Sequence, residues 1–173
     1  ETTANTATLF AMDTVMDLTV YGAASVLDEA ESRVSGLEAL FSVTEETSEI
    51  YQLDHTGSCV LSDDTAALLK QALGLCERTD GALDLSIYPV VRAWGFTTGA
   101  YEVPAPETIS KLLEQVDYRK IAYDARSKTA SLPDGMEIDL GSVAKGYTSN
   151  ALIALLRENG VASALLNLGG NVH

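Results

Sequence analysis

The sequence predicts an α+β fold with a packed core. Strand-like and helix-like segments are mixed along the chain, without the regular strand–helix alternation that is typical of a parallel sheet. Of the 173 residues, 46% are hydrophobic and 21% are charged, which is ordinary globular composition and excludes intrinsic disorder. The length favours a single domain. No apolar run approaches the ~20 residues that span a bilayer.

The first predicted elements are two strands and a helix. Residues 9–12 and 17–21 are predicted to be strands on either side of a break at Asp13, because the second segment alternates apolar and polar side chains. From about residue 24 to residue 40, apolar side chains recur at helical spacing and acidic side chains lie off that stripe. This pattern predicts an amphipathic helix whose acidic face meets solvent.

The middle of the chain combines irregular segments with one clear helix. Residues 42–62 are polar and are predicted to form a loop with one short strand near 59–61. Ser62 is a good N-cap, and the two aspartates that follow it favour the positive N-terminus of a helix. That helix is predicted to end before Thr79. Residues 85–91 fit either a strand or a short helix, since the proline within them argues against a central strand.

The rest of the chain is predicted to contain a loop, two helices, a hairpin and two further strands. Pro106 suits the first turn of the first helix, and Gly160 suits the C-terminal end of the second. The predicted ranges are 95–106 for the loop, 106–116 for the first helix, 120–123 and 129–132 for the hairpin, 136–140 for a strand, 142–159 for the second helix and 164–168 for the last strand.

The net charge of the chain restricts its ligands. Eleven basic and 25 acidic side chains give a net charge of −14, which argues against nucleic-acid binding and against adhesion to anionic lipid. A phosphate ligand therefore needs local neutralisation by a metal ion or by a few placed cations.

The cysteines and histidines do not indicate a site. Cys59 and Cys76 form no Cys-x-x-Cys motif, and we expect two small buried side chains rather than a disulfide. His55 and His173 are far apart in the sequence and share no metal-ligand spacing, so both are expected to lie at the surface.

Two later segments are candidates for chemistry. Asp80-Gly81 predicts a tight turn whose backbone amides approach a ligand, with Asp84 at the start of the next element. Trp94, beside Gly95, is suited to the wall of a pocket for a planar ring. The alternative for this segment is a helix-ending turn followed by a core aromatic side chain.

The second candidate segment runs from a predicted strand through a glycine turn into a helix. Helix N-termini bind phosphate through their amides and dipole, and Lys145 lies where it reaches the same anion. Ser142 offers a hydroxyl ligand for Mg²⁺, and Asp139 is placed to bond a ligand or a metal-bound water. The pattern is neither a Walker A loop nor Gly-x-Gly-x-x-Gly. The alternative is an ordinary turn with a surface lysine.

These two segments, together with two earlier ones, resemble the ApbE family of FAD:protein FMN transferases. The four stretches that carry the resemblance lie in family order and span nearly the whole chain. They are Ala11-Met12-Asp13-Thr14, Ser48-Glu49-Ile50, the segment from Thr79-Asp80-Gly81-Ala82-Leu83-Asp84 to Trp94-Gly95-Phe96, and Ile138 to Tyr147 closing with Asn167-Leu168-Gly169-Gly170. Asp13 departs from the pattern, because the family usually has glycine there.

The resemblance implies a T-fold-related mixed sheet with packed helices and an enzyme that uses FAD and Mg²⁺. Such enzymes transfer the FMN half of FAD to a Thr or Ser hydroxyl of an acceptor flavoprotein and release AMP. By position, the resemblance places Met12, Ala82, Leu83, Asp84, Asp139 and Lys145 at the FAD site and Ser142 as a Mg²⁺ ligand. Asp84, Asp139 and Lys145 are the implied catalytic residues, with either aspartate as the base. Thr44 stands where some members have an aromatic flavin contact.

The resemblance also sets expectations for the whole protein. It implies an extracytoplasmic lipoprotein, held at the outer face of the cytoplasmic membrane by a lipid anchor outside this chain. We expect residues 1–173 to be the N-terminal portion of the family domain, with the C-terminal half absent. Two alternatives are a hydrolase that converts FAD to FMN and AMP, and a non-catalytic flavin-binding lipoprotein.

Overall fold

The computed structural model describes residues 3–173. The chain divides into two compact units, whereas its length alone favours a single domain. The first unit runs to Ala39 and resumes at Gly141, and the second is Leu40–Leu140. The α+β class is confirmed, with one refinement. The strands, which the resemblance placed in a mixed sheet, form two antiparallel sheets. Within residues 3–173, no helix has the length and apolar character that crossing a membrane requires.

The described elements follow one another in chain order as strands and helices with two short 3₁₀ turns. The strands are β1 (Ala4–Ala11), β2 (Thr14–Tyr21), β3 (Ser58–Val60), β4 (Ala122–Asp124), β5 (Thr129–Ser131), β6 (Ser163–Leu168) and β7 (Asn171–Val172). The helices are α1 (Ser25–Phe41), α2 (Glu49–Thr56), α3 (Asp63–Arg78), α4 (Tyr88–Ala93), α5 (Pro106–Leu113) and α6 (Gly141–Glu158).

The first unit packs α1 and α6 with a sheet of order β1-β2-β6-β7. Alternation along β2 buries every second side chain, so one face of the sheet is apolar. The core that results is continuous, and it contains Met16, Leu18, Val20, Val26, Leu27, Ala30, Val34, Leu152, Leu156, Leu166 and Leu168. This packing holds the second half of α6 against the first hairpin.

The hairpin between β1 and β2 has a loop of only two residues. Ala11 pairs with Thr14, so Met12 and Asp13 alone form the turn. Their φ angles are 50° and 58°, the left-handed values of a type I′ turn, which usually takes Asn-Gly or Asp-Gly. The departure at Asp13 therefore places a Cβ where the backbone favours glycine.

Replacing Asp13 by glycine is expected to stabilise the protein by up to about 1 kcal/mol, because glycine reaches left-handed backbone without a Cβ penalty. Alanine, which lacks the local hydrogen bonding of aspartate, is expected to destabilise it instead. Urea denaturation of the three proteins measures both changes. A glycine variant less stable than the parent would contradict this explanation of the turn.

Within the second unit, the prediction of a loop over 42–62 is wrong in part, because the structure has helix α2 there. The Ser48 hydroxyl accepts the N–H of Ile50 and donates to Leu40 O, and Gly57 ends the helix with a φ of 73°. Only Ile50 and Leu53 are buried. Two buried positions give too weak a periodicity to reveal a helix of this length.

The predicted strand over 136–140 is also wrong, since these residues join neither sheet. Instead of pairing with a strand, single amides of this segment bond to other residues. Ile138 N donates to an Asp54 carboxyl oxygen, and Asp139 N donates to Leu85 O. The open choice for residues 85–91 is settled as a 3₁₀ turn, Leu85–Ile87, followed by α4.

The other predictions for the second unit and for α6 are confirmed. Ser62 caps α3 by accepting the N–H of Thr65, and β3, β5 and β4 form the short sheet that contains the predicted hairpin. Gly160, with a φ of 70°, follows the end of α6. Both cysteines are free, as expected, but only Cys76 is buried, whereas Cys59 is half-buried; desolvation raises the pKa of each thiol.

Candidate functional site

Met12 is held in the first unit by both its backbone and its side chain. Its N–H donates to Glu38 Oε1 over 2.6 Å, and its sulfur accepts the Thr148 hydroxyl over 3.6 Å. Thr148 lies three residues after Lys145 on α6, and residues at that spacing are neighbours on a helix surface. The structure therefore brings Met12 to the part of α6 that carries Lys145.

The start of α6 has the features of an anion site. The first amides of a helix lack intrahelical partners and carry the positive end of the dipole, and no acidic side chain lies in the first turn. Lys145 is half-buried. Among residues 3–173 it has no ion pair or hydrogen bond, whereas half-buried Lys128 is paired with Asp63. Lys145 is thus a partly desolvated cation available to a ligand.

Ser142 is exposed at the second position of α6, three residues before Lys145. In the part of the chain that the structure describes, no cluster of three His, Cys, Asp or Glu side chains is arranged for a metal ion. One hydroxyl fits Mg²⁺ only where water and substrate phosphate oxygens complete its coordination, which is the usual situation for this ion.

In the second unit, the Asp84 carboxylate accepts hydrogen bonds that hold its own loop in place. Its Oδ1 accepts the Ser86 N–H over 2.9 Å and the Ser86 hydroxyl over 2.6 Å, and its Oδ2 accepts the Tyr118 N–H over 3.1 Å. Ser86 is fully buried and its oxygen accepts the N–H of Asp117. Asp84 therefore joins the 3₁₀ turn that it caps to the segment after α5.

The turn before Asp84 is closed by its own hydrogen bonds. Asp80 and Gly81 have φ angles of 50° and 79°, and their amides donate to the last turn of α3. The amides of Ala82 and Leu83 donate to the carbonyl and hydroxyl oxygens of Thr79. These N–H groups are satisfied within the turn, while Ala82 itself is exposed.

Asp139 lies beside the Asp84 loop because its N–H donates to Leu85 O over 2.9 Å. The structure thus places the two candidate bases on neighbouring backbone segments of the second unit. Arg92 is paired with Glu137 through both carboxylate oxygens, one of them at 2.9 Å. This bidentate pair ties α4 to the segment that carries Asp139.

Trp94, predicted to form the wall of a pocket, lies in a group of three rings of which Phe96 and Tyr101 are exposed. Trp94 is half-buried at the end of α4 and stacks with Phe96, whose ring centroid lies 6.5 Å away. Phe96 meets the edge of Tyr101 at 6.0 Å. The predictions for the histidines are confirmed, since His55 and His173 are exposed, and Thr44 is exposed too.

Two residues that support the candidate site were missed by the sequence analysis. Glu38 holds the Met12 amide, and Asp54 holds the Ile138 amide over 2.8 Å. The acidic pattern of α1 indicated only a solvated face for Glu38, and Asp54 lay in a segment predicted to be a loop. No spacing in the sequence singles out either contact, because each joins segments far apart along the chain.

Comparison with known proteins gives one consistent family. A FAD:protein FMN transferase of Treponema pallidum is 29% identical over 157 residues, which are 86% of this chain and 43% of the relative. One from Klebsiella pneumoniae is 31% identical over 140 residues, 79% of this chain and 44% of the relative. The chain therefore spans less than half the length of these curated relatives.

Two solved structures share the fold. The ApbE protein of Thermotoga maritima matches with a TM-score of 0.91 at 24% identity, over 98% of this chain and 58% of that one. The flavin transferase ApbE of Vibrio cholerae matches with a TM-score of 0.86 at 21% identity, over 98% and 59%. The ApbE family model matches residues 12–173, so this chain belongs to the ApbE family.

Proposed function

We propose that the protein containing this chain transfers the FMN half of FAD to a Thr or Ser hydroxyl of an acceptor protein, with Mg²⁺, and releases AMP. The names of its relatives support transfer of FMN from FAD to protein. The observation that carries the proposal is Lys145, a half-buried cation without a partner among residues 3–173, near the start of α6 in a chain of net charge −14.

The reaction is a phosphoryl-type transfer. The acceptor hydroxyl oxygen forms a bond to the FMN phosphorus of FAD, and the bond from that phosphorus to the oxygen bridging to AMP breaks. Lys145 and the positive end of the α6 dipole bind the pyrophosphate and stabilise the negative charge that develops as AMP leaves. Ser142 would hold Mg²⁺, which supplies further neutralisation of the phosphate oxygens when bound.

Asp84 and Asp139 are the two proposed acceptors of the hydroxyl proton. The Asp84 oxygens accept three hydrogen bonds, from the backbone and hydroxyl of Ser86 and from the Tyr118 N–H. Asp84 then positions the loop that carries Ala82 and Leu83, which we retain as proposed FAD contacts. Met12, fixed at its strained turn, is the proposed FAD contact of the first unit.

Intact-mass spectrometry tests the proposed function. A protein that extends past His173 to the full length of its relatives is mixed with FAD, Mg²⁺ and a candidate acceptor domain, and AMP is followed in parallel. We expect the acceptor to gain the mass of FMN only when the metal is present. AMP without a mass shift on any acceptor would favour the hydrolase, and neither product would favour a flavin-binding role. The extracytoplasmic, lipid-anchored location stays a prediction.

A further inference from the structure

The candidate anion site has an acidic side chain on its Met12 side. Glu38 lies near the end of α1 and is half-buried. Its Oε1 accepts the N–H of Met12 over 2.6 Å. The chain already has a net charge of −14, and one more negative charge on this side opposes the binding of a pyrophosphate. The position of Glu38 therefore needs another reason.

The hydrogen bond to Glu38 holds an amide that is not part of the hairpin ladder. The last pair of the ladder between β1 and β2 is Ala11 with Thr14, so Met12 lies in the turn beyond it. A backbone N–H shielded from water needs a partner, and a hydrogen bond to a carboxylate is about twice as strong as one to a neutral acceptor. Glu38 thus fixes the turn at Met12 from the neighbouring helix.

The side chain of Met12 is held from the other helix of the first unit. Its sulfur accepts the hydroxyl of Thr148, which is fully buried on α6, over 3.6 Å. A methionine side chain is unbranched and has three rotatable bonds, so ordering it when a ligand binds costs free energy. Contacts at the amide and at the sulfur order Met12 before a ligand arrives.

We propose that Glu38 is a positioning residue for FAD, which holds the Met12 amide so that the Met12 side chain is in place when the flavin nucleotide binds. This inference deepens the proposed function and rests on the proposed contact between Met12 and FAD. Glu38 acts through Met12 and makes no contact with FAD itself. The gain from an ordered contact exceeds the repulsion by the Glu38 charge, since solvent and salt screen charges that do not touch.

Two substitutions of Glu38 show whether the acceptor or the charge matters. Glu38→Gln keeps an oxygen acceptor for the Met12 amide, whereas Glu38→Ala removes it. Glu31→Ala is the matched control, because Glu31 is also half-buried and lies two turns earlier on the same face of α1. Each of the three variants removes one negative charge, so the change in the overall field is the same.

Titration of flavin fluorescence in the full-length protein measures the Kd for FAD. We expect Glu38→Ala to raise the Kd about 10-fold, Glu38→Gln to raise it less than about 3-fold, and Glu31→Ala to change it less than about 2-fold. A purely electrostatic role of Glu38 predicts the opposite sign, because removal of a negative charge favours an anionic ligand. A lower or unchanged Kd in Glu38→Ala would overturn the proposal.

A double-mutant cycle with Met12→Ala tests whether Glu38 acts through the Met12 side chain. Alanine keeps the backbone N–H, so any role of Glu38 in the stability of the turn remains, and urea denaturation should give the same loss for Glu38→Ala in both backgrounds. The loss of FAD affinity should instead fall from about 10-fold to less than about 2-fold. Equal losses of affinity in the two backgrounds would contradict the proposal, because Glu38 would then act on the fold alone.

The titration needs no acceptor protein, so it is independent of the test of transfer. If the parent binds FAD but transfers no FMN to any acceptor, the proposed function fails, while the cycle still decides the role of Glu38. If the parent does not bind FAD, the role of Glu38 is overturned together with the proposed function.

Discussion

Replacing Lys145 by glutamine is expected to lower the rate of FMN transfer about 100-fold or more. Removal of one preorganised group that stabilises charge in a transition state typically costs about 100–1000-fold. The chain has a net charge of −14, so its overall field repels the pyrophosphate and the local cation matters more. Single-turnover transfer at saturating FAD measures the chemical step, and titration of flavin fluorescence measures the accompanying loss of FAD affinity.

Arg157→Gln is the matched control for this prediction. Arg157 lies in the last turn of the same helix, is exposed, and has no ion pair among residues 3–173. The substitution changes the net charge by the same amount but leaves the start of α6 intact, so we expect less than about a 2-fold effect. Equal losses in the two variants would show that overall charge, and not Lys145, governs the rate.

Replacing Gly95 by alanine is expected to destabilise the protein by about 3 kcal/mol, the sum of left-handed strain and steric overlap. Gly95 has a φ of 79°, and a Cβ there would lie 2.1 Å from the carbonyl oxygen of Ala100 and 2.9 Å from the amide of Tyr101. Both are backbone atoms of the loop that closes on Gly95, so the loop itself must move.

Gly99→Ala in the same loop is a control that has the left-handed backbone strain without the steric overlap. Gly99 also has a left-handed φ, of 72°, but a Cβ there meets nothing within 4 Å. We expect a loss of about 1 kcal/mol from strain alone. Urea or thermal denaturation of both variants measures the difference, and equal stabilities would contradict the overlap at Gly95. The near-ultraviolet signal of Trp94 should change in the Gly95 variant alone.

The sequence predicted the elements that have a strong local signal. Helices α1, α3 and α6 carry apolar stripes long enough to define a period, and Ser62 and Gly160 mark helix ends through local hydrogen bonding and backbone geometry. The sequence also predicted the position of Lys145 near a helix start and the lack of any general attraction for phosphate.

Short or irregular segments were decided by tertiary contacts. Helix α2 buries only Ile50 and Leu53, so its helical state depends on its caps and on packing with the rest of the second unit. Residues 136–140 have the apolar pattern of a strand, but their amides bond to Asp54 and Leu85 instead. Periodicity reports which side chains are buried, and it does not report which partner satisfies an amide.

The sequence by itself determined the class of fold, the family, and the residue types from which an anion site is made. The tertiary structure decided their environment: the left-handed backbone of Met12, the absence of a partner for Lys145 within residues 3–173, the three hydrogen bonds to the Asp84 carboxylate and the pKa of Asp54, which burial raises. These properties depend on burial and on contacts between residues distant in sequence, which local patterns do not encode.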